Sequence, residues 1–161
     1  MKSPSLYINR LVVDGALHCD FKFRHGLNIL QAKDTQGDPK KTNKSGKTAL
    51  VELIQHGLGK QHENKDEYHF APIIDKIKTL WLEIESNGET FTIERSLQEI
   101  SAQAKIHEGV YVPGMTNVGA ESIPINRMSS ALLGSLGIPE VSVRQKKYCP
   151  LPYRKHPVLY I

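Results

Sequence analysis

The stretch TLWLEIESNGETFTIERSL, residues 79–97, constrains the fold more than any other part of the chain. Leu80, Leu82 and Ile84 alternate with Trp81, Glu83 and Glu85, the two-residue period of a strand with one face buried. Asn87-Gly88 supplies the two positive-φ positions of a tight turn, and Phe91 and Ile93 resume the alternation on the return. The stretch predicts a β-hairpin, so the fold must contain a sheet.

Residues 5–15 are β-branched and apolar and end in Asp14-Gly15, which predicts a first strand and a turn. Phe21 and Phe23 then alternate against Lys22 and Arg24, a half-buried strand that pairs back on the first. Residues 27–32, LNILQA, form a short apolar run suited to a central strand. Residues 33–46 hold Gly37, Pro39 and Gly46 and almost nothing apolar, so they read as a loop. From Thr48 onward Leu50, Val51, Leu53, Ile54 and Leu58 recur at helical spacing, and Gly57 and Gly59 bracket the end of that helix. Residues 60–72 are polar and read as exposed. A further strand is expected near 105–112 and a short helix over 126–140, ended by Gly137 and Pro139. Pro150, Pro152 and Pro157 leave 146–161 without a helix or strand period, an irregular tail behind a single domain over 1–145.

Composition excludes several classes. At 161 residues, with 39% hydrophobic and 24% charged side chains, the chain can bury a sizeable core and does not read as disordered. Cys19 and Cys149 lie far apart and outside any C-x-x-C pair, which argues against a zinc site or a disulfide framework. The seven histidines show neither H-x-x-x-H nor H-E-x-x-H spacing, so no metal site is expected from them. The first residues lack the apolar core of a secretory signal, and no apolar run is long enough to span a membrane. A reduced, cytoplasmic protein is the expectation.

The chemistry concentrates at TNKSGKTALVELIQHGLG, residues 42–59. A phosphate chain needs backbone N–H groups aimed at its oxygens and the positive end of a helix beneath it. A glycine before the helix admits the phosphates closely, a lysine reaches the β- and γ-phosphates, and a neighbouring hydroxyl ligates Mg²⁺. Gly46, Lys47 and Thr48 can fill these roles in that order, with Lys47 as the catalytic candidate. Asn43, Lys44, Ser45 and Ala49 complete the expected ATP-binding set. The full pattern G-x-x-x-x-G-K-[ST] lacks its first glycine, because Lys41 stands there. Gly37 or Asn43 is the candidate to supply the unusual dihedrals instead. Lys33, Lys40, Lys41, Lys44 and Lys47 crowd the same loop, within a chain of net charge +4.

These residues resemble the first lobe of the ATPase heads of the RecN/SbcC/SMC group. Phe23, Gly26 and Asn28 match the pattern before the loop, with Leu30 in place of an isoleucine. Gly46, Lys47, Thr48, Glu52, Ile54, Leu58 and Gly59 match it after the loop, and the spacing between Leu30 and Gly46 is longer than usual. The resemblance covers about residues 6–60. It implies an α/β P-loop NTPase fold in which an antiparallel β-subdomain lies beside a P-loop strand-loop-helix unit. It implies ATP and Mg²⁺ as ligands, with Thr48 and, by position, Gln145 at the metal, and Arg10 or Arg24 near the phosphates. It also implies work on DNA in repair, maintenance or anti-phage defence. A signature motif and an apolar run ending in Asp-Glu are absent from the sequence. The chain therefore reads as one lobe of a longer or split head, completed by a second head or a C-terminal lobe, and hydrolysing ATP negligibly alone. Two other readings stay open. A small P-loop kinase would need arginines in a lid, and residues 62–70 have none. A basic nucleic-acid-binding module would bind DNA salt-sensitively without nucleotide.

Overall fold

The computed structural model describes residues 3–30, 46–61, 69–98, 102–111 and 120–138. Within them six strands form one open sheet in the order β2-β1-β3-β4-β5-β6. The strands are β1 (Leu6–Gly15), β2 (Cys19–Lys22), β3 (Ile77–Ser86), β4 (Glu89–Ser96), β5 (Gln103–Glu108) and β6 (Glu121–Pro124). Two helices join them, α1 (Lys47–Gly57) and α2 (Ile125–Ser135), with a 3-10 turn over Ala71–Lys76.

The α/β P-loop NTPase class expected from the sequence is not what the chain forms. Every strand pairing among the described residues is antiparallel, so the parallel sheet of that class is replaced by an open antiparallel one. The run expected to be the central strand is part of the difference. Residues 27–30 adopt no strand, and 31–32 lie outside the described residues. The Asn28 amide explains the departure. It accepts from Arg24 N at 2.9 Å and donates to the carbonyls of Arg24 at 2.8 Å and Gly26 at 3.2 Å. That closes a turn where a strand would have to extend, and leaves Leu27 86% and Ile29 81% exposed.

The hairpin forms where its sequence places it. Asn87 (φ 54°) and Gly88 (φ 91°) make the two-residue loop, and Ser86 pairs with Glu89. The Asn87 side chain does more than turn the chain. It accepts from Ser5 N at 3.0 Å and donates to the Ser135 carbonyl at 2.9 Å, tying the start of β1 and the end of α2 to the hairpin tip.

β1 contains a break in its apolar period. Leu6 and Ile8 carry the inward phase first, then Leu11 and Val13. A register shift between Ile8 and Arg10 absorbs the odd residue: Ile8 pairs with Ile84, and Leu11 pairs with Leu82. All four side chains therefore reach the same face, joined there by Leu80, Ile93 and Ala104.

Both helices cover that face. Leu50 and Leu53 of α1 and Ile125 and Met128 of α2 enter the same core cluster. Val51, counted on the apolar stripe from sequence, is instead 52% exposed. The stretch 60–72, read as polar and exposed, contributes the fully buried Phe70, and the strand expected near 105–112 begins two residues earlier. Where the helices meet, Gly59 lies against Ile125, Met128 and Ser129. α2 ends on Gly137 at φ 71°, with Ile138 N donating to the Leu133 carbonyl at 3.0 Å. The other face of the sheet is more polar. There Glu94 accepts from Lys105 at 3.0 Å and pairs with the buried His107 at 2.9 Å.

The glycines make this packing testable. A Cβ on Gly15 would sit 2.5 Å from the Lys76 carbonyl oxygen and 2.9 Å from Ile77 Cα, both backbone atoms that cannot swing away. Gly134, inside α2, has open space around it. In thermal or urea unfolding Gly15→Ala should cost about 1–3 kcal/mol. Gly134→Ala should stabilise by roughly 0.4–1 kcal/mol.

Candidate functional site

α1 starts directly at the Gly46-Lys47-Thr48 sequence. Gly46 is its N-cap, at φ 71° and ψ 8°, a left-handed conformation that a side chain would strain. The Gly46 carbonyl accepts the first intrahelical bond, from Leu50 N at 2.9 Å. The N–H groups of the first turn have no acceptor within the helix and carry the positive end of its dipole. No acidic side chain lies in that turn, and among the described residues no side chain caps it. Gly46, Lys47 and Thr48 are exposed, and Ala49 is half-buried against the core. Of the expected ATP-binding set, Gly46, Lys47, Thr48 and Ala49 are thus brought together at one helix end. Asn43, Lys44, Ser45 and Gln145 lie outside the described residues.

The two arginines suggested for phosphate contact part company. Arg10 holds Asp20 of β2 in a two-pronged ion pair, Nε and Nη2 each at 2.8 Å, on the sheet face away from the helices. The hydrogen bond to Arg10 holds the Asp20 carboxyl below its usual range. Arg24 is exposed and lines a cleft of about 240 Å³ together with Ile8, Phe23, Asn28 and Ile54. Ile54 of α1 lines the same cleft, and Arg10 is not part of it.

At its other end α1 is locked down by polar groups that sequence reasoning missed. Arg95 of β4 is 2% exposed. Its Nη1 donates to the carbonyl of His56, in the last turn of α1, and to that of Lys60 at 3.2 Å. A buried guanidinium therefore meets the negative end of the helix. Glu52, also buried, accepts from the backbone N–H of His69 and from Lys60 Nζ at 3.2 Å. Burial alone would raise the Glu52 carboxyl, but these donors outweigh it and hold it below the usual range. Gly57 completes the lock, since a Cβ there would lie 2.8 Å from Leu82 Cδ2. Arg95 was legible in one respect. It continues the inward phase of Phe91 and Ile93, so the alternation already assigns it to the buried face. Glu52 entered the family pattern with no role attached, and His56 carried no signal.

A second cavity, about 200 Å³, lies between α2 and the sheet. Ile84, Ile93, Ile106, Met128 and Leu132 line it, and its serines, Ser86 and Ser135, hydrogen-bond each other at 2.9 Å. It offers no group for phosphate or proton chemistry. Among the described residues no three His, Cys, Asp or Glu side chains come together to hold a metal ion. No helix among them is long and apolar enough to cross a membrane.

Comparison with protein-family models finds no match to the chain, and comparison with curated proteins finds none either. The site's chemistry rests on its own residues.

His56 sets a pH limit on the lock. Burial, reinforced by the positive charge of Arg95, pushes its imidazole from 6.5 down to about 4. The folded state thus prefers the neutral ring, while the unfolded chain takes up a proton below 6.5. Stability from this group is complete above pH 6.5 and falls as the pH drops toward 4, by on the order of 3 kcal/mol in all. His56→Gln should show a shallower loss of unfolding free energy between pH 6.5 and 4 than the native chain. Equal slopes would place the acid sensitivity elsewhere.

Proposed function

We propose that the chain binds the triphosphate of Mg²⁺-ATP at the N-terminal end of α1, as the ATP-binding part of an ATPase that acts on DNA with a second polypeptide. One observation carries the reading: α1 begins at Gly46-Lys47-Thr48 with Gly46 left-handed, no acid in the first turn and, among the described residues, no side-chain cap. That is the local condition for receiving an anion, whatever sheet lies behind it.

The roles follow from the chemistry of the groups. The first-turn N–H groups face the phosphate oxygens, and the lack of a Cβ at Gly46 lets them come close. Lys47 neutralises charge on the β- and γ-phosphates, and the Thr48 hydroxyl ligates the magnesium ion. Magnesium, when bound, spreads the negative charge of the terminal phosphates. Phosphoryl transfer draws most of its rate from positioning and charge stabilisation, and a residue must also orient the attacking water. No apolar run ending in Asp-Glu supplies one here. Binding with negligible hydrolysis is therefore the expected behaviour of this chain alone, and the second polypeptide supplies the missing group. DNA repair, DNA maintenance or anti-phage defence is the setting that the resemblance suggests for it.

Titration of the chain with a fluorescent ATP analogue and Mg²⁺ tests the reading. Saturable binding is expected, and Lys47→Ala should abolish it while leaving the melting temperature within a degree or two, since Lys47 is exposed. No saturable binding by the native chain, or equal binding by Lys47→Ala, would remove this function. Nucleotide-independent DNA binding that weakens steeply with salt would point instead to a basic nucleic-acid-binding module.

A further inference from the structure

We propose that Arg95 is a positioning residue for the phosphate site, setting the direction and depth of α1 from the helix end opposite to Gly46. This inference rests on the nucleotide reading above.

The geometry gives α1 a polar-locked C-terminal end and an exposed start, with Leu50 and Leu53 in the core between them. The C-terminal half is fixed to the sheet on several sides. Arg95 binds the carbonyls of His56 and Lys60, and the His56 ring reaches the Ser96 carbonyl at 3.3 Å. Gly57 lies flush on Leu80 and Leu82, and Glu52 holds the chain at His69. The first turn, by contrast, is exposed from Gly46 to Thr48. An α-helix is stiff over eleven residues and rises about 1.5 Å per residue. A small tilt at its held end therefore moves the phosphate-facing N–H groups by a comparable or larger amount.

Arg95 suits this work better than an apolar residue would. Its planar fork offers several donors in a fixed geometry, so it specifies orientation as well as contact. Its Cα partner in β3 is Leu80, one of the two leucines that meet Gly57. The same residue pair therefore fixes both the distance of the helix from the sheet and its angle. Gly59 against Ile125 and Ser129 carries the constraint on to α2.

The test compares Arg95→Lys and Arg95→Gln with Val12→Ala, a buried substitution on the sheet face away from α1. The probe is the same fluorescent ATP analogue with Mg²⁺, read well below each melting temperature. Amide hydrogen exchange of α1 is read without nucleotide. Arg95→Lys should bind the analogue about tenfold more weakly and Arg95→Gln more weakly still. Exchange should quicken in α1 and stay slow in β3. Val12→Ala should lose thermal stability yet bind like the native chain. Native affinity in the Arg95 variants would overturn the inference, as would affinity losses that track melting temperature equally in all three. A native chain that binds nothing removes the nucleotide reading. Unchanged α1 exchange in both Arg95 variants removes the positioning role independently of that result.

Discussion

The buried guanidinium of Arg95 against the last carbonyls of α1 is the contact on which the arrangement depends. A cation at 2% exposure is costly unless its donors are used, and the carbonyls at a helix C-terminus need donors just as much. Arg95 Nη1 meets this need at the carbonyls of His56 and Lys60. The pairing favours one seat for α1 on the sheet, since a shift would separate a buried cation from the carbonyls it binds. Glu52 and His56 extend the same logic along the helix, each buried and each matched to a backbone group.

This pinning explains how a sheet without parallel strands can still leave the start of a helix exposed. In an open antiparallel sheet with both helices on one face, a helix is positioned by what fixes it to that face. Here polar locks at the C-terminal half and apolar contacts from Leu50 and Leu53 do so. The N-terminal turn is left facing outward, with Gly46 supplying the left-handed entry that the chain needs there. Polar groups that stabilise the fold and the residues of the proposed phosphate site thus occupy opposite ends of one element.

What the sequence revealed divides along the same physical line. Period-2 alternation and Asn87-Gly88 specified the hairpin because both signals are local. The helix after Gly46 was legible for the same reason, as were β1 and β2. LNIL misled because an apolar run reports a tendency to be buried and carries no information about neighbours, while Asn28 closed a local turn instead. The strand pairs β1-β2 and β3-β4 were local, but their union into one open antiparallel sheet depends on β1 with β3, the one pairing here between strands that are not sequence neighbours, which no local pattern encodes. Of the site, Gly46, Lys47 and Thr48 were readable as a motif. The roles of Glu52 and His56 in holding the helix were not, because a buried Glu or His on a helix looks like a solvated one until its partner across the core is known.

The most direct test of the account is amide hydrogen exchange across α1 in the native chain, with and without Mg²⁺-ATP. The account predicts that exchange slows at residues 47–50 when nucleotide is added, while residues 54–58, already held by Arg95 and Gly57, change little. Slowing confined to residues away from α1, or no change anywhere at saturating nucleotide, would contradict it.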